Sequence, residues 1–402
     1  MRILIVTQYF WPEEFLINEV ALGLLGRNHE VEVLTGLPNY PSGKFFQGYS
    51  HCGPYRENYH GISVWRTLLL PRGNSSGWRL AINYLSFALF ACFRGIFSLN
   101  RSFDAILVFE VSPVTVGIPA RFLKYLSKAK LFFWVQDLWP DTLSAVGSIR
   151  SEFVLKWVGK LTSWIYRGCD RILIQSEAFR DSVIKCGIKK DKVLYFPNFA
   201  EDIYQPIRLQ EEAPESGLIP SGFCVMFAGN IGISQDFNTI LDAAKLTSIN
   251  PKIQWVIIGD GRDRPWVEKE VIRRSLSNFH LLGRYPKEKM PIFFSLADVM
   301  LVSLKHERIF SMTIPSKVQA YLACGKPIVA SLDGEGARII QEAKAGLTVP
   351  AESAQALAEA VLFLSELDQK YLQEMGRNAL NYYKTHFSIS YFLNEFERLI
   401  NN

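Results

Sequence analysis

The sequence is poor in the residues that build metal sites and disulfide frameworks. Its 402 residues include six cysteines and six histidines, and none of these forms a CxxC pair or a regularly spaced His pair. This scarcity argues against a zinc centre and against a disulfide-stapled secreted fold. We therefore expect no metal ligand set, and a protein that works in a reducing cytoplasm.

Three further absences narrow the class of protein. The apolar run after Met1 has no basic segment or cleavage site with it, so we expect no signal peptide. No segment has the composition of a disordered region, and no Ser-His-Asp or Cys-His pair has a recognisable motif spacing. With 49% hydrophobic residues, the chain has the material for about two domain cores.

The small positive charge is unevenly distributed. The formal net charge is +5, and Lys and Arg outnumber Asp and Glu only in residues 1–200. A basic half beside a neutral-to-acidic half indicates an anionic surface or substrate on one side of the protein. Because no nucleic-acid-binding motif accompanies the charge, nucleic acid is not an expected partner.

Short apolar segments alternate with segments of helical period in two series. The predicted strands are residues 2–7, 29–35, 105–109, 131–135, 171–175 and 193–196 and, after a Pro- and Glu-rich stretch (206–220), residues 223–228, 253–258, 278–282, 299–302 and 327–330. Continuous apolar strands separated by helices indicate parallel sheets covered on both faces. The sequence therefore predicts an α/β protein of two doubly wound, Rossmann-like domains. These are residues 1–200 and 201–385, with a last helix (386–402) that packs back on the first domain.

One predicted helix, residues 78–99, is almost entirely apolar. Its few polar residues recur at helical spacing on one narrow stripe, and they are Arg79, Asn83, Ser86, Arg94 and Ser98. The length approaches the roughly 20 residues of a membrane span, but two arginines lie inside it. Two interpretations stay open: a helix that lies at a lipid interface, or a buried core helix of the first domain.

The segment 313–330 contains the strongest candidate for a phosphate site. Pro315 is predicted to lie in the first turn of a helix, so that Ser316 and Lys317 lie where free backbone amides point outward. Such a helix end binds phosphate through its N–H groups and the helix dipole, and Lys317 adds a full positive charge. Gly325 is expected to end this helix before the next strand.

As a whole, this segment resembles the C-terminal signature of retaining glycosyltransferase family 4, which often reads PSK, then a helix, then ACGKP. Other segments resemble the same family in order along the chain, and they are Tyr9-Phe10-Trp11-Pro12, Phe196-Pro197-Asn198, Ile258-Gly259-Asp260-Gly261, Gly283-Arg284-Tyr285 and Ala345-Gly346-Leu347. Residues 37–41 and 136–141 are similar to a narrower group that builds O-antigen and capsule repeat units, including N-acetyl-L-fucosaminyltransferases.

The resemblance implies a GT-B fold with the active site in the cleft between its two domains. It implies that the C-terminal domain binds a UDP-sugar donor. The N-terminal domain would then bind a polyprenyl-diphosphate-linked saccharide at the cytoplasmic face of a bacterial inner membrane. Transfer would retain the anomeric configuration and use no metal or other cofactor. Hydrogen-bond donors and positive charge must therefore stabilise the departing diphosphate.

The residues assigned to the donor in this way are Gly229, Asn230, Gly232, Gln235, Gly259, Arg284, Tyr285, Lys305, Arg308, Ser316, Lys317 and Glu335. The sequence departs from the family pattern in two places. Asn230 and Gln235 stand in the region of an arginine and a lysine, and Ala320 stands at the position of a ribose-binding glutamate. Lys305, Arg308 and Lys317 are expected to supply the missing charge. Glu335 is either the ribose contact or a solvated turn residue.

Two carboxylates of the first domain are candidate catalytic residues alongside Lys317. Asp137 matches a family position that contacts the transferred sugar, where it would stabilise positive charge at the anomeric carbon. The alternative is that Asp137 caps a helix. Glu110, at the end of the strand 105–109, would orient the acceptor hydroxyl. Glu13 follows the first strand and is either near the acceptor or an ordinary first-turn helix acid.

Two other classes of protein remain open. A nucleotide-sugar epimerase has the same architecture but needs no acceptor and no membrane helix, so the segment 78–99 argues against it. A non-catalytic relative that binds a sugar nucleotide is supported by Ala320, whereas Asp137 and Lys317 argue for catalysis.

Overall fold

The computed structural model describes residues 1–73, 77–99, 102–145, 151–207 and 213–402. Their contacts divide the chain into two compact units. One unit is Met1–Pro197 together with Phe392–Asn402, and the other is Asn198–Tyr391. The Pro- and Glu-rich stretch at 206–220 lies partly outside the described residues.

The first unit is built on an eight-stranded sheet. Its strands are β1 (Arg2–Thr7), β2 (Glu30–Gly36), β3 (Arg56–Tyr59), β4 (Ile62–Thr67), β5 (Ala105–Glu110), β6 (Lys130–Val135), β7 (Arg171–Ile174) and β8 (Val193–Tyr195). Their order is β3-β4-β2-β1-β5-β6-β7-β8, and only the β3–β4 pair is antiparallel. The strand order reverses between β1 and β5, and ligands of such sheets bind at the carboxyl ends of the strands beside that reversal.

Helices cover both faces of this sheet, which is why β1 and β5 are apolar and buried along nearly their whole length. The helices of the first unit are α1 (Leu16–Gly26), α2 (Gly77–Ser98), α3 (Gly117–Ser127), α4 (Asp141–Ala145), α5 (Glu152–Arg167) and α6 (Arg180–Lys185).

The second unit repeats the arrangement with six parallel strands. They are β9 (Phe223–Ala228), β10 (Ile253–Ile258), β11 (Phe279–Gly283), β12 (Val299–Ser303), β13 (Ile328–Ser331) and β14 (Gly346–Val349), in the order β11-β10-β9-β12-β13-β14. Its helices are α7 (Phe237–Thr247), α8 (Arg264–Arg273), α9 (Met290–Leu296), α10 (Arg308–Ser311), α11 (Ser316–Ala323), α12 (Glu335–Glu342), α13 (Ala354–Glu366) and α14 (Gln369–His386). Here the strand order reverses between β9 and β12.

The predicted class of two doubly wound α/β domains is confirmed, and every strand predicted from the sequence is present within one residue of its predicted bounds. Three strands were not predicted. β3 reads Arg-Glu-Asn-Tyr and lies at a sheet edge, while β14 is a short edge strand that is only partly buried. β4 alternates apolar and polar residues, and it carries the fully buried Arg66.

The last helix, α15 (Ile389–Asn401), brings the chain back to the first unit. Phe392 packs on Trp134 with ring centroids 4.5 Å apart, and Phe396 meets Phe132 at 5.3 Å. Glu397 accepts hydrogen bonds from Arg27 and His29 beside β2. These contacts bury the apolar face of α15 against β6.

Helix α2 turns a mainly apolar face outward. Apart from Arg79, its large exposed side chains are apolar, and they are Trp78, Ile82, Leu85, Leu89, Phe93 and Phe97. Asn83 and Arg94 of the polar stripe face the protein instead. Asn83 is fully buried, with its amide bonded to Leu70 O (2.6 Å), and Arg94 donates to Tyr55 O (2.8 Å). Neither interpretation from the sequence is complete, because α2 packs on β2, β4 and α3 through one face, whose buried residues are Asn83, Phe87, Ala88, Ala91 and Gly95, while a row of apolar side chains on its other face is exposed. By length and composition, it is the one helix of the described residues that could cross a membrane.

Candidate active site

A glycine turn lies at the strand reversal of the second unit. Gly229 follows β9 with φ of +143°, and a side chain on it would approach Lys317 Cε to 2.5 Å. Gly259 follows β10 with φ of +142°, and a side chain there would meet Gly229 O at 1.8 Å. The two turns are joined by a hydrogen bond from Gly229 N to Ile258 O (2.9 Å). Glycine is therefore required at both positions.

The ammonium of Lys317 lies beneath this turn. Lys317 is the second residue of α11, and it donates a hydrogen bond to Gln235 Oε1. Its Nζ is 4.0 Å from the centroid of the Phe227 ring. Burial lowers the pKa of Lys317 to about 7, because removal from water disfavours the charged form. The fold thus brings together Gly229, Gln235 and Lys317, three residues that the sequence analysis assigned to the donor.

A cavity of about 360 Å³ opens beside the turn. It is lined by Asn230, Gly232, Ile233, Ser234, Arg262, Lys305, Glu307 and Phe310. Three of the predicted donor residues are therefore on its wall, and the Lys305 N–H is bonded to Ser234 O (3.0 Å). Arg262 was not predicted, although it directly follows the Gly259-Asp260-Gly261 turn that the sequence had singled out. Lys305 and Arg262 give the wall of the cavity two cationic side chains, with Glu307 as an opposing charge.

Four other predicted donor residues do not line this cavity. Ser316 is the exposed first residue of α11, and Pro315 is the residue before the helix rather than part of its first turn. Arg308 is exposed at the start of α10. After β11, Arg284 is exposed and Tyr285 packs on Phe293 with ring centroids 4.7 Å apart.

Glu335 is not a solvated turn residue. It is 8% exposed and is the first residue of α12. Arg338, one turn later, contacts both of its carboxylate oxygens, at 3.0 and 2.9 Å. The bidentate contact therefore fixes the carboxylate in position.

In the first unit, Glu110 and Asp137 come together at the ends of β5 and β6. Glu110 is fully buried, and its Oε2 accepts the Asp137 N–H at 3.4 Å. Burial, and then the neighbouring Asp137, raise the pKa of Glu110 well above its usual range. Burial also raises the pKa of Asp137 to about 7. The helix-cap interpretation of Asp137 is wrong, because the next helix begins four residues later at Asp141.

Glu13 is likewise not a first-turn helix acid, since α1 begins at Leu16. It is 2% exposed and accepts N–H groups from Phe10 (3.3 Å), Asn39 (2.8 Å) and Tyr40 (2.7 Å). Burial raises the pKa of Glu13 to about 7. Its carboxylate fixes the loops that follow β1 and β2, and so shapes the carboxyl edge of the sheet.

Proteins of known family resemble this chain over most of its length. Residues 16–198 match a family model described as a glycosyl transferase 4-like domain, and residues 210–382 match one for glycosyl transferases group 1. The probable glycosyltransferase WbjE of Pseudomonas aeruginosa is 28% identical over 70% of this chain and 71% of its own. The putative colanic acid biosynthesis glycosyl transferase WcaI of Escherichia coli is 26% identical over 81% and 82%.

The fold has solved counterparts. The structure of HepE (Alr3699) from Anabaena, determined in complex with UDP, aligns over the whole of both chains with a TM-score of 0.67 and 14% identity. At that identity the likeness concerns the fold. The two matched family models together span most of the chain, and the two units are doubly wound as in the solved counterpart. The chain therefore belongs to the glycosyltransferases of the GT-B fold.

Proposed function

We propose that this glycosyltransferase moves a sugar from a UDP-sugar to a polyprenyl-diphosphate-linked saccharide, in the assembly of an O-antigen or capsular polysaccharide. One observation carries the donor half of the proposal. Lys317 lies under the glycine turn of Gly229, at the strand reversal of the second unit, beside a cavity lined by Lys305 and Arg262. Backbone amides and cations at such a place match the needs of a departing diphosphate.

The identity of the donor rests on the relatives. HepE was solved with UDP, and WcaI is named for the biosynthesis of colanic acid, a polysaccharide. A UDP-linked donor and a polysaccharide product are the simplest assignment for this chain. N-acetyl-L-fucosamine is our specific candidate for the sugar, from the sequence similarity of residues 37–41 and 136–141.

The proposed reaction retains the anomeric configuration. The bond from the anomeric carbon to the diphosphate oxygen breaks, and the acceptor hydroxyl forms its bond on the same face. The hydroxyl proton passes to the departing diphosphate oxygen, so that UDP and the glycoside are the only products. Asp137 stabilises the positive charge that develops at the anomeric carbon. Glu110 is a positioning residue, because its buried carboxyl holds the Asp137 backbone.

A nucleotide panel tests the donor assignment. UDP at a hundred times its Kd is expected to raise the melting temperature by about 5 °C or more, because it binds only the native state. GDP and ADP should give much smaller shifts. A protein that responds to no nucleotide at millimolar concentration contradicts the proposal and favours the non-catalytic alternative suggested by Ala320. Conversion of the UDP-sugar without an acceptor would favour an epimerase.

A lipid surface is the proposed partner of the first unit. α2 packs on α3, and α3 packs on α5. All three expose aromatic or aliphatic side chains, and beyond those of α2 they are Tyr125, Phe153, Val154, Trp157 and Trp164. Lys160 lies 4.8 Å from the Trp157 ring, and the Arg121 guanidinium lies 3.9 Å from the Trp164 ring. Aromatic rings interleaved with cations suit the headgroup region of an anionic membrane.

The membrane contact predicts a sedimentation result. The triple variant Leu85→Ser, Leu89→Ser and Phe93→Ser should lose binding to phosphatidylglycerol vesicles, by about tenfold for each side chain, since each loses about 1.5 kcal/mol of apolar transfer. Arginine is not the right probe here, because Arg94 faces the protein.

The matched control changes three apolar side chains of the second unit that are at least about as exposed: Ile249→Ser, Ile272→Ser and Phe363→Ser. It should bind vesicles like the wild type. Unchanged vesicle binding by the α2 variant contradicts the proposal. A wild-type dimer that the α2 variant dissociates would assign this face to a second copy of the chain.

A further inference from the structure

Unpaired polar atoms gather at the carboxyl edge of the first sheet. Tyr9 Oη, Thr67 Oγ1, Arg72 Nε and Trp139 Nε1 are buried and have no hydrogen-bond partner within the described residues. They lie at or after the ends of β1, β4 and β6. Buried polar atoms are nearly always paired in folded proteins. Such a group at the ligand-binding edge of a doubly wound sheet indicates a polar substrate there.

Arg72 contributes the charge in this group. Its guanidinium carbon is 5.0 Å from the Tyr40 ring centroid and 5.8 Å from that of Tyr9. The Arg72 backbone N–H is bonded to Asn39 Oδ1 at 3.3 Å. None of the described carboxylates forms an ion pair with Arg72. The two tyrosine rings hold the guanidinium plane while its charge stays unneutralised.

A second arginine converges on the same loop. Gly73 donates its N–H to Gly43 O (2.9 Å), and a side chain on Gly73 would meet Arg79 Nη1 at 2.4 Å. The Arg79 side chain therefore lies over the residue that follows Arg72. Within the described part of the chain, Arg79 has no carboxylate partner, and its guanidinium lies 5.2 Å from the Trp78 ring.

We propose that Arg72 and Arg79 bind the diphosphate of the isoprenyl-linked acceptor. This assignment rests on the proposed function. Paired guanidinium groups suit phosphate oxygens, which they contact through two parallel N–H donors. The site lies at the amino end of α2, whose apolar face turns outward and can follow the isoprenyl chain. Tyr9 follows β1 and Asp137 follows β6, and these strands are two positions apart in the sheet, a spacing of about 10 Å. One or two sugar rings of the acceptor would span the distance from the diphosphate at Arg72 to the reacting centre at Asp137.

The test uses geranyl diphosphate as the probe and geraniol as its neutral counterpart, with saturating UDP to occupy the donor site. Calorimetry should give a Kd for geranyl diphosphate that rises about tenfold in Arg72→Gln and again in the double variant with Arg79→Gln. Geraniol should bind weakly and equally to all of them. Arg2→Gln is the matched control, because Arg2 also lies over an aromatic ring, Phe103, but at the amino end of β1.

Three results would overturn the assignment. The first is wild-type protein that fails to bind geranyl diphosphate in the presence of UDP. The second is an Arg72→Gln variant with unchanged affinity. The third is a double variant, Arg72→Gln with Arg79→Gln, that no longer binds phosphatidylglycerol vesicles but binds geranyl diphosphate with unchanged affinity. This result would assign the arginines to lipid headgroups. A normal melting temperature and UDP response in the variants excludes misfolding. Failure of the proposed function appears separately, as a wild-type protein with no UDP response.

Discussion

Lys317→Met is expected to lower UDP affinity about 100-fold while raising the melting temperature of the ligand-free protein. The affinity falls because one charge-assisted contact to the diphosphate, worth about 2.7 kcal/mol, is lost. The stability rises because the wild type buries an ammonium in the apolar surroundings of Phe227. Calorimetry with UDP and thermal unfolding without it measure the two effects on the same preparation.

The pH dependence of the stability gain follows from the pKa of Lys317. The native state holds this proton only below about pH 7, whereas an unfolded lysine keeps it to a pKa near 10.5. Between these values the unfolded state binds more protons, so the free energy of unfolding of the wild type rises with pH. The advantage of Lys317→Met is therefore greatest below pH 7 and shrinks towards pH 10.

UDP binding has its own pH dependence in the wild type. Above pH 7 the lysine must take up a proton as the diphosphate binds, so UDP affinity falls with rising pH. The UDP affinity of Lys317→Met should not fall with rising pH in this way. Lys326→Met is the matched control: burial also lowers the pKa of Lys326, which follows the same helix, but its ammonium bonds Ser295 O at 3.3 Å. Loss of UDP affinity in both variants, or in neither, contradicts the phosphate assignment.

Asp137→Asn is expected to lower kcat about 1,000-fold, equivalent to about 4 kcal/mol of transition-state stabilisation. The amide keeps the shape of the carboxylate but cannot balance positive charge at the anomeric carbon. UDP affinity should stay within about twofold, because Asp137 belongs to the first unit, whereas the proposed donor residues around Lys317 belong to the second. Single-turnover transfer and UDP titration separate the two quantities.

The pH profile adds a second readout. Burial places the pKa of Asp137 at about 7, so the rate of the wild type should rise with pH and level off above that value. The rising limb should be absent from Asp137→Asn. Glu110→Gln should keep most of the activity, because the glutamine side-chain oxygen can still accept the Asp137 backbone N–H. Asp141→Asn, on the exposed first residue of α4, is the control. If the rate of Asp137→Asn still rises with pH in this range, the titration belongs to another group.

The strands could be predicted because a strand that is buried on both faces is a continuous run of apolar residues in the sequence. β5 and β10 are such runs, and both were predicted from the sequence alone. β3 could not be predicted, because an edge strand that is half exposed needs no apolar residues. The motif around Lys317 was likewise visible, since a helix start has a local chemical signature.

The partners of these residues could not be predicted. Lys317 and Gln235 are 82 residues apart, and only the strand order, with β9 beside β12, brings their loops together. Arg262 lies on the wall of the cavity and was not predicted, although it directly follows the Gly259-Asp260-Gly261 turn. Contacts between distant loops depend on sheet topology, which local patterns do not encode.

Helix α2 shows most clearly which features the sequence determines and which features only the tertiary structure decides. The sequence alone determined that residues 78–99 form a helix with one polar stripe, because side-chain periodicity fixes angles around the helix axis. Only the tertiary structure decided that Asn83 and Arg94 of this stripe face inward, where Asn83 bonds Gln8 and Leu70, whereas Arg79 and a row of apolar side chains are exposed. Periodicity is a property of the helix, but which face is buried depends on the neighbours that the fold supplies.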